Sequence, residues 1–553
     1  MTGPKTPRLS KSRLAAFKQC PKRLWLEHYK VVEIKHGAAA EARFAVGNRA
    51  GALARELVGH GLLIEHQDDL GQAIAETDMW SCEDAEQPIF EGTFERDGVL
   101  VRVDALLPVR WRQGTAYRLC EVKSSAEVKP YHYFDIAVQK WVIEGQSPRL
   151  RIKQSELVVI DKNFVYQGMD DYAGLFKSYQ VDHAIGDELA GIPVVVQAAR
   201  KTLRGKEPKI EMGPQCTAPF ACPFIEHCSK GAPPLPKYPV TLLPRGQRLA
   251  AELIAEGYTD LRKVPAKRME GVKSQQQRRV HAVTVSGKPY LAADAARALA
   301  KLPYPRFYLD FETVAFAVPV WEGTRPYEAL PFQWSCHIET APGKFTHKEC
   351  LADDDLYPVW WVMDQLREVL GRKGVIFVYS GYENRTFKAV AARHPDLAPS
   401  IRAILARLFD LYPLTGKHYY HPDMRGKWSM KNVLPAIAPE LDYANLGEVQ
   451  GGSVASAAFM KMIADTTPTA DWRTLRRDLL DYCERDTWAM VRLVRVLEGG
   501  EAYQVPGGAK GRKAAHADGR PRRKRGPAPQ RDGLADLLAP GVCTAAAAPR
   551  ARR

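Results

Sequence analysis

Three segments between residues 90 and 123 alternate apolar and polar positions in the manner of β-strands. Phe90 to Arg96 and Val99 to Leu106 are separated by Asp97-Gly98, a dipeptide that favours a type I′ hairpin. A third apolar run, Tyr117 to Lys123, follows after a polar break. The pattern therefore predicts a β-hairpin and a further strand in the first part of the chain.

These predicted strands carry charged residues among apolar ones. Asp104 points off the second strand, and Glu121 and Lys123 share a face of the third because strand side chains alternate. Two carboxylates can hold Mg²⁺ or Mn²⁺ to activate water, while an ammonium stabilises charge that develops on phosphorus. Phosphodiester cleavage needs such a trio. The alternative is a plain ion pair on an exposed strand, which contributes about 0–1 kcal/mol.

A second region of alternating strand and helix patterns begins at Arg306 and continues to about Leu497. Its first strand, Phe307 to Thr313, is apolar except for Asp310 and Glu312, which project from one face. Two carboxylates so placed repel each other unless metal ions lie between them. The alternative is an exposed strand end.

Further along this region, helical spacing predicts that Tyr482 and Asp486 lie one turn apart on one face. Between the two motifs, Val375 to Tyr379 has the pattern of a strand, followed by a polar turn and a helix that carries Glu383. Taken singly, the Tyr-x3-Asp pair is more often a helix-surface contact. A common site is favoured because the acids follow one another along the chain on a predicted strand, a predicted helix and a later predicted helix.

Length and composition predict an α/β protein with several domains, because 553 residues exceed one core of about 150 residues. A Pro-rich segment at 231–239 indicates a linker, and residues 240–302 have the pattern of small helices. Residues after Pro506 are rich in Ala, Gly, Pro and Arg, which predicts disorder. The predicted stretches are 1–230, 231–302, 303–500 and a basic tail, 501–553.

The formal charge of +15 suits a polyanionic partner such as nucleic acid, although the run Arg520–Arg525 in the tail supplies part of it. No apolar run approaches the ~20 residues that span a bilayer, and the start of the chain lacks the apolar segment of a secretory signal. We therefore expect a cytoplasmic protein without a membrane partner. The absence of a Gly-x4-Gly-Lys-Ser/Thr motif indicates that the chain is not itself an ATP-driven helicase.

Cysteines form a spaced group. Cys216, Cys222 and Cys228 are separated by five residues each, and Cys20 lies far upstream beside Pro21. Thiolates are ligands for iron–sulfur clusters and zinc, and zinc ribbons favour closer pairs than these. Three interpretations stay open at this point: a cluster, a zinc ion, or cysteines that simply pack in the core.

Several segments of the first region together resemble the RecB-like branch of the PD-(D/E)xK nucleases. These are Leu9 to Leu14 (LSKSRL), Cys20 to Trp25 (CPKRLW), and Asp135 to Gln139 (DIAVQ) after the Glu-x-Lys strand. The resemblance includes CRISPR-associated iron–sulfur exonucleases and the helicase-linked AddB type. It implies a restriction-endonuclease-like fold, catalytic roles for Asp104, Glu121 and Lys123, and a site-organising role for Gln139. A separate helicase is an implied partner.

The same resemblance implies that Cys20, Cys216, Cys222 and Cys228 hold a structural [4Fe-4S] cluster that joins the start of the domain to its end. Two features depart from the family pattern. A tyrosine expected four residues after Gln139 is Ile143, and the histidine of the early helix is missing from residues 47–56. Glu56 is a candidate replacement for that histidine, although a solvated helical glutamate is the simpler interpretation.

The second region resembles the DEDDy class of 3′–5′ exonucleases, which have an RNase H-like fold. The resemblance implies that Asp310 bridges two metal ions, that Glu312 and Asp486 hold one of them, and that Glu383 helps hold the other. Tyr482 would orient the attacking water. Glu383 stands where the class usually has aspartate. Residues 307–497 also look like the domain of unknown function found behind RecB-like iron–sulfur modules.

Two functions are consistent with these features. The first is a metal-dependent nuclease with two modules, acting on DNA rather than RNA, in repair, recombination or defence. The second is a nucleic-acid-binding scaffold in which one nuclease site, the second above all, has decayed. Convergence of Asp310, Glu312, Glu383 and Asp486 in space would favour the first function.

Overall fold

A computed structural model describes residues 8–34, 37–66, 68–81, 87–111, 114–147, 150–230, 235–464 and 466–499. The predicted basic tail, Cys82 and Cys543 lie outside these residues. The chain is an α/β protein with two compact units. The described part of the first contains residues up to 230 together with Phe316–Tyr327, and the second contains 235–315 and 328–499. None of the helices in the described ranges is both long enough and apolar enough to cross a bilayer.

The first unit is built on one sheet with helices packed against it. Its strands are β1 (Leu9–Ser10), β2 (Leu62–Leu63), β3 (Ile89–Arg96), β4 (Val99–Trp111), β5 (Gly114–Lys123), β6 (Arg151–Ile160) and β7 (Phe176–Gln180). Its helices are α1 (Lys11–Gln19), α2 (Pro21–His28), α3 (Ala38–Val58), α4 (Leu70–Trp80), α5 (Pro130–Gln146), α6 (Gly186–Arg204) and α7 (Ile225–Ser229).

The strand order in this sheet is β2-β3-β4-β5-β6-β7, with β1 beside β4. The predicted hairpin is confirmed: Arg96 pairs with Val99, and Asp97 and Gly98 have φ values of 49° and 65°, as a type I′ turn requires. The strand β5 then runs antiparallel to β4 and parallel to β6. Helix α5 begins at Pro130, one turn and more before the predicted start at Asp135, because proline is well suited to the first helical position.

The core of the first unit lies between the sheet and helices α1, α5 and α6. It is made of branched aliphatic and aromatic side chains, among them Phe94, Leu119 and Ile143. A smaller cluster joins α3 to Tyr166 and Tyr172, and Ala317 and Val318 complete it. The aromatic loop around Trp321 packs in this unit: the carbonyl of Thr324 accepts the Tyr166 N–H at 3.0 Å.

The second unit contains a larger set of helices. They are α8 (Gln247–Ala255), α9 (Ala266–Glu270), α10 (Gln275–Ser286), α11 (Ala293–Leu299), α12 (Val359–Leu370), α13 (Tyr382–Arg393), α14 (Ala398–Leu405), α15 (Leu411–His418), α16 (Met430–Ile437), α17 (Gly452–Ile463) and α18 (Thr469–Leu497). Its strands are β8 (Tyr290–Leu291), β9 (Arg306–Val314), β10 (Leu330–Ala341), β11 (Lys344–Leu351), β12 (Val375–Val378), β13 (Leu408–Asp410) and β14 (Tyr419–Tyr420).

Five of these strands form a mixed sheet in the order β11-β10-β9-β12-β13. The central strand β9 is antiparallel to β10 and parallel to β12. The two faces of the sheet are covered by different helices. Gln333 donates to the Leu479 carbonyl of α18 at 2.8 Å, whereas its neighbour Trp334 donates to the Val362 carbonyl of α12 at 2.9 Å. The long helix α18 therefore lies across the face from which Asp310 and Glu312 project.

Candidate functional site

In the first unit, the structure brings the three predicted residues of the Glu-x-Lys site together. The Lys123 ammonium lies 2.8 Å from Glu121 Oε1, and Asp104 Oδ2 accepts the Val122 N–H at 2.6 Å. The hydrogen bond to Val122 holds Asp104 against the strand that carries Glu121. Both carboxylates are thus held on adjacent strands of a sheet, which is a rigid support for a metal-binding site.

Helices α1 and α5 complete this site. Gln139 of α5 is fully buried and donates to Glu121 Oε2 at 2.5 Å, so the structure places this predicted residue in the site. Asp135, one turn earlier, accepts from Lys123 at 2.6 Å. Lys11 of α1 reaches Glu121 Oε1 at 2.5 Å, a contact between residues far apart in sequence. Neither Asp135 nor Lys11 was predicted as a member of this site.

The charges in this site act in opposite directions on its two acids. Burial raises the pKa of Asp104, and the negative charge of Glu121 raises it further. Burial would also raise the pKa of Glu121, but the ammonium groups of Lys11 and Lys123 outweigh that effect and lower it. Glu121 is therefore held as a carboxylate, whereas Asp104 retains a proton more readily. The incoming positive charge of a metal ion would reverse that preference.

A further carboxylate, Glu91, lies near this pair. It has a φ of 55°, which turns its side chain out of the regular strand, and it accepts from Arg55 of α3 at 2.8 Å. Burial raises the pKa of Glu91, and the charge of Glu121 contributes to that increase. Glu56, the candidate replacement for the missing helical histidine, points elsewhere: its side chain is 62% exposed and lies 3.8 Å from Arg49. Glu91 is thus the extra acid that the sequence pattern did not reveal.

In the second unit, three of the predicted acids converge. One carboxylate oxygen from each of Asp310, Glu312 and Asp486 lies within 4.8 Å of the others, a spacing that can hold a metal ion. The first two project from β9 and the third from α18, which crosses that strand. Glu312 is buried, with 7% of its surface exposed. The order of elements inferred from the chain therefore corresponds to a compact acidic site.

Glu383 lies near this group but outside the closest three. It is the second residue of α13, it is buried, and its charge raises the pKa of Asp310 and of Glu312. Its Oε2 atom is buried without a hydrogen-bond partner among the described residues. A buried oxygen of this kind is costly unless a donor or a cation meets it.

Tyrosines and a lysine surround Asp486. The hydroxyl of Tyr443 donates to Asp486 Oδ1, and the hydroxyl of Tyr482 also stabilises that carboxylate. Lys431 donates to the carbonyl of Gln450 at 2.7 Å, and its charge stabilises the ionised forms of Glu312 and Asp486. Tyr482 was predicted to face this site. Tyr443 and Lys431 were not, because they lie on other segments whose position depends on tertiary packing.

Burial dominates the protonation of this acidic site. It raises the pKa of Asp310 well above the usual range, and the charges of Asp486, Glu312 and Glu383 raise it further. The pKa of Glu312 is raised for the same reasons, with Lys431 opposing. Burial also raises the pKa of Glu383 and of Asp486. Without a cation, the site therefore holds protons that isolated carboxyl groups would release.

The four predicted cysteine ligands line one pocket of the first unit. Cys20 immediately precedes α2, Cys216 ends a short 3₁₀ helix, Cys222 follows in a loop and Cys228 lies in α7. The pocket is partly open to solvent, and Lys22 and Arg23 also line it. Gln19 donates to the carbonyls of Gln215 and Phe220 at 2.8 and 2.7 Å, which ties the start of the chain to the cysteine loop.

The spacing of these sulfurs can be compared with that of a zinc site. A tetrahedral zinc ion with Zn–S bonds of about 2.3 Å needs sulfurs about 3.8 Å apart. Within the described ranges, no three of the four sulfurs lie within 4.8 Å of one another. Burial raises the pKa of Cys222 and Cys228, and Lys22 opposes that increase at Cys228. At least one pair in every set of three sulfurs is thus further apart than zinc-bound thiolates are.

Residues 307–429 match the family described as "Domain of unknown function (DUF2779)". The match confirms, for those residues, the predicted likeness to a domain of unknown function. It includes Asp310, Glu312 and Glu383, and it stops before Tyr482 and Asp486. It carries no information about activity.

Relatives of this chain occur among the mycoplasmas. "Uncharacterized protein MG366" of Mycoplasma genitalium is 22% identical over 36% of this chain and 32% of its own length. "Uncharacterized protein UU173" of Ureaplasma parvum is 24% identical over 35% of this chain and 31% of its own. "Uncharacterized protein MG366 homolog" of Mycoplasma pneumoniae is 25% identical over 35% and 32%. The chain spans about a third of the length of these curated relatives.

Proposed function

We propose that this chain is a metal-dependent nuclease that hydrolyses phosphodiester bonds in DNA. The observation that carries the proposal is the convergence of Asp310, Glu312 and Asp486, with Glu383 near them, in a site where Glu312 and Glu383 are buried and the two aspartates are half-buried. Four acids that raise one another's pKa are unfavourable unless they bind cations. Oxygen ligands are those that Mg²⁺ and Mn²⁺ prefer. The unpartnered Oε2 of Glu383 is a further oxygen for such an ion.

Each residue of this site has a part in the proposed reaction. Asp310, Glu312 and Asp486 would hold the metal ions, which polarise the phosphate and lower the pKa of water when bound. Tyr443 and Tyr482 orient the Asp486 carboxylate through their hydroxyl groups. Lys431 supplies positive charge near the position where a phosphate would lie. This combination supports an exonuclease of the DEDDy type and an RNase H-like fold for the second unit.

The site of the first unit supports a second nuclease module of the PD-(D/E)xK type. Asp104 and Glu121 would hold a metal ion, and the buried Oε1 of Gln139 has no hydrogen-bond partner among the described residues. Lys123 is kept protonated beside them, because Glu121 and Asp135 outweigh the effect of burial and raise its pKa. Its ammonium can therefore stabilise negative charge on a phosphate. Glu91 is a further oxygen donor at this site.

The cysteine pocket supports a structural [4Fe-4S] cluster held by Cys20, Cys216, Cys222 and Cys228. Four thiols that line one pocket are the ligand set that such a cluster takes. Lys22 and Arg23 add positive charge that favours thiolates. The cluster would close the first unit, because Cys20 is far in sequence from the other three ligands.

The proposal is tested with end-labelled single-stranded DNA, double-stranded DNA and RNA in the presence of Mg²⁺ or Mn²⁺. Four proteins are compared: the parent, Lys123→Ala, Asp310→Asn and the double variant. We expect the parent to degrade DNA faster than RNA, each single variant to lose one mode of cleavage, and the double variant to be inactive. Far-ultraviolet circular dichroism checks that each variant is folded.

Two results would contradict the proposal. If the double variant degrades DNA as fast as the parent, both site assignments are wrong. A parent that binds DNA but cleaves neither DNA nor RNA with either metal ion favours the scaffold function. The convergence of Asp310, Glu312 and Asp486, with Glu383 near them, argues against decay of the second site, and for that reason we rank the scaffold second.

A further inference from the structure

A second group of potential metal ligands lies on the face of the sheet that α18 covers, toward its edge strand. His337 of β10 and His347 of β11 are directly paired across the two strands. Glu484 of α18 approaches them from above. One ligand atom from each of these three residues lies within 4.8 Å of the others. The nuclease sites proposed above use none of the three.

The geometry of this group is that of a nitrogen-and-oxygen metal site. The two imidazole rings are 4.5 Å apart between centroids and tilted by 32°. His347 Nδ1 lies 3.7 Å from Glu484 Oε1 and 4.0 Å from Glu349 Oε2. A carboxylate on the helix and a carboxylate on the strand therefore lie on the same side of one imidazole.

Hydroxyl groups hold both rings in place. His347 contacts the Ser335 hydroxyl through Nε2 at 2.8 Å, and His337 contacts the Thr487 hydroxyl through Nδ1 at 2.8 Å. The two hydroxyls are themselves 2.9 Å apart. In metal-binding histidines, the N–H of the ring nitrogen that does not bind the metal usually donates a hydrogen bond to an oxygen. This hydrogen bond fixes the tautomer and the ring orientation. Ser335 and Thr487 provide such oxygens for both histidines.

The group is also accessible. His337 is buried, but the side chain of His347 is 10% exposed and that of Glu484 is 33% exposed. An ion can therefore enter from the side of Glu484 without unfolding the sheet. This combination differs from the site of Asp310, which offers only carboxylate oxygens.

We propose that His337, His347 and Glu484 form a separate site for a first-row transition-metal ion of the Zn²⁺ type, with Glu349 or water as the fourth ligand. Imidazole nitrogen favours Zn²⁺ and its neighbours over Mg²⁺. A bound ion fastens α18 to the edge strands at Glu484, which lies between Tyr482 and Asp486 on that helix. The site stabilises the position of the helix, and it does not depend on nuclease activity.

The test uses Co²⁺ as a spectroscopic substitute for Zn²⁺ in the full chain, after chelator treatment. Four-coordinate Co²⁺ with nitrogen ligands has strong visible bands, whereas six-coordinate Co²⁺ with oxygen ligands has weak ones. We expect one equivalent of Co²⁺ to give the strong bands and Zn²⁺ to displace it. Asp310→Asn, which alters only the acidic site, keeps these bands. His347→Gln loses them, and Glu484→Gln binds at least about tenfold more weakly, a loss that even outer hydrogen-bond partners typically cause.

Glu484→Gln keeps the test decisive if His347→Gln does not fold, because Glu484 is partly exposed and its replacement leaves the sheet intact. Any one of three results would overturn the proposal. The first is a parent protein without strong visible bands, and the second is Co²⁺ binding by both variants as tight as that of the parent. The third is a spectrum whose only signal is near-ultraviolet thiolate charge transfer, which would place the ion at the cysteines.

Discussion

Buried carboxylates in the two units are neutralised by different means. In the first unit, Glu121 contacts the ammonium groups of both Lys11 and Lys123, so it stays ionised without a metal ion. In the second unit, Asp310 has no such ion pair among the described contacts, and burial raises its pKa. The first site therefore contains its own positive charges, the ammonium groups of Lys11 and Lys123. The second depends on protons or on added metal ions.

This difference predicts how the stability of the metal-free protein depends on pH. Because the folded-state pKa values of Asp310, Glu312 and Glu383 are raised, the folded protein keeps protons that the unfolded chain releases. Their contribution to the free energy of unfolding is fully present below the unfolded carboxyl pKa of about 4 and is lost as pH rises through the folded values. We expect the melting temperature to fall from pH 5 to pH 8 in chelator. Mg²⁺ or Mn²⁺ should restore it, most strongly at pH 8.

Matched variants isolate the acidic site in these melting experiments. Asp310→Asn should flatten the pH dependence and remove the response to metal ions. Asp364→Asn on α12 changes an acid that pairs with Arg367 outside the site, so both effects should persist. A metal response that survives in Asp310→Asn would contradict the assignment.

The tyrosines should matter less than the acids that they contact. Tyr443→Phe and Tyr482→Phe each remove a hydroxyl from Asp486 but no metal ligand. A hydrogen bond to a charged group contributes about 1.5–3 kcal/mol, so we expect cleavage to slow by roughly ten- to a hundredfold. Asp310→Asn should reduce cleavage further, because it removes a carboxylate that, in the proposed site, would bind both metal ions. The measurement is single-turnover degradation of a labelled strand.

The metal-induced rise in melting temperature is the control for this expected order of effects on cleavage. Both phenylalanine variants should keep the metal-induced rise in melting temperature, whereas Asp310→Asn should lose it. Equal and small effects of all three substitutions, with no metal response in the parent, would indicate a structural acidic cluster instead of a catalytic one.

At the scale of elements, the sequence pattern predicted those strands, turns and helices that interactions between residues close together in the chain determine. The hairpin of β3 and β4 followed from alternation and the Asp97-Gly98 turn, and α18 from helical spacing. Contacts between distant segments were not predictable in this way. Lys11 reaches Glu121 across 110 positions, and Tyr443 reaches Asp486 across 43. A single chain contains no periodicity that reports such pairs, so partners close in sequence such as Lys123 were found, whereas Lys11 and Tyr443 were not.

The hairpin turn offers a direct test of the local argument. Gly98 has a φ of 65°, where an added Cβ is strained, so Gly98→Ala should destabilise the protein by about 1 kcal/mol. Gly191 lies within α6, and a Cβ there meets nothing within 4 Å. Gly191→Ala should therefore stabilise the protein by up to about 1 kcal/mol. Urea-induced unfolding of the two variants and the parent measures both changes, and equal signs would refute the turn assignment.

At the scale of the whole molecule, the proposed chemistry is distributed over two units. One unit combines a Glu-x-Lys site with a pocket of four cysteines, and the other contains an acidic site on a mixed sheet. Each unit carries its own core and its own carboxylates. For this reason, a variant in one unit should leave the metal response of the other unchanged, and the double variant proposed above separates the two activities.

The cysteine pocket determines how the first unit is closed. Gln19 already contacts residue 215 across 196 positions, and a cluster bound by Cys20 would fix that loop permanently. Fixing a loop of this length removes on the order of 5 kcal/mol of unfolded-chain entropy.

We expect anaerobically purified parent protein to contain iron and to absorb near about 400 nm. Cys20→Ser should lose both properties and become more sensitive to limited proteolysis in residues 8–230. Cys350→Ala, a buried cysteine of the second unit, should keep the iron, the absorption and the resistance. Zinc without iron in the parent would exclude the cluster, whereas iron retained by Cys20→Ser at the parent level would exclude Cys20 as the ligand that joins the two ends of the unit.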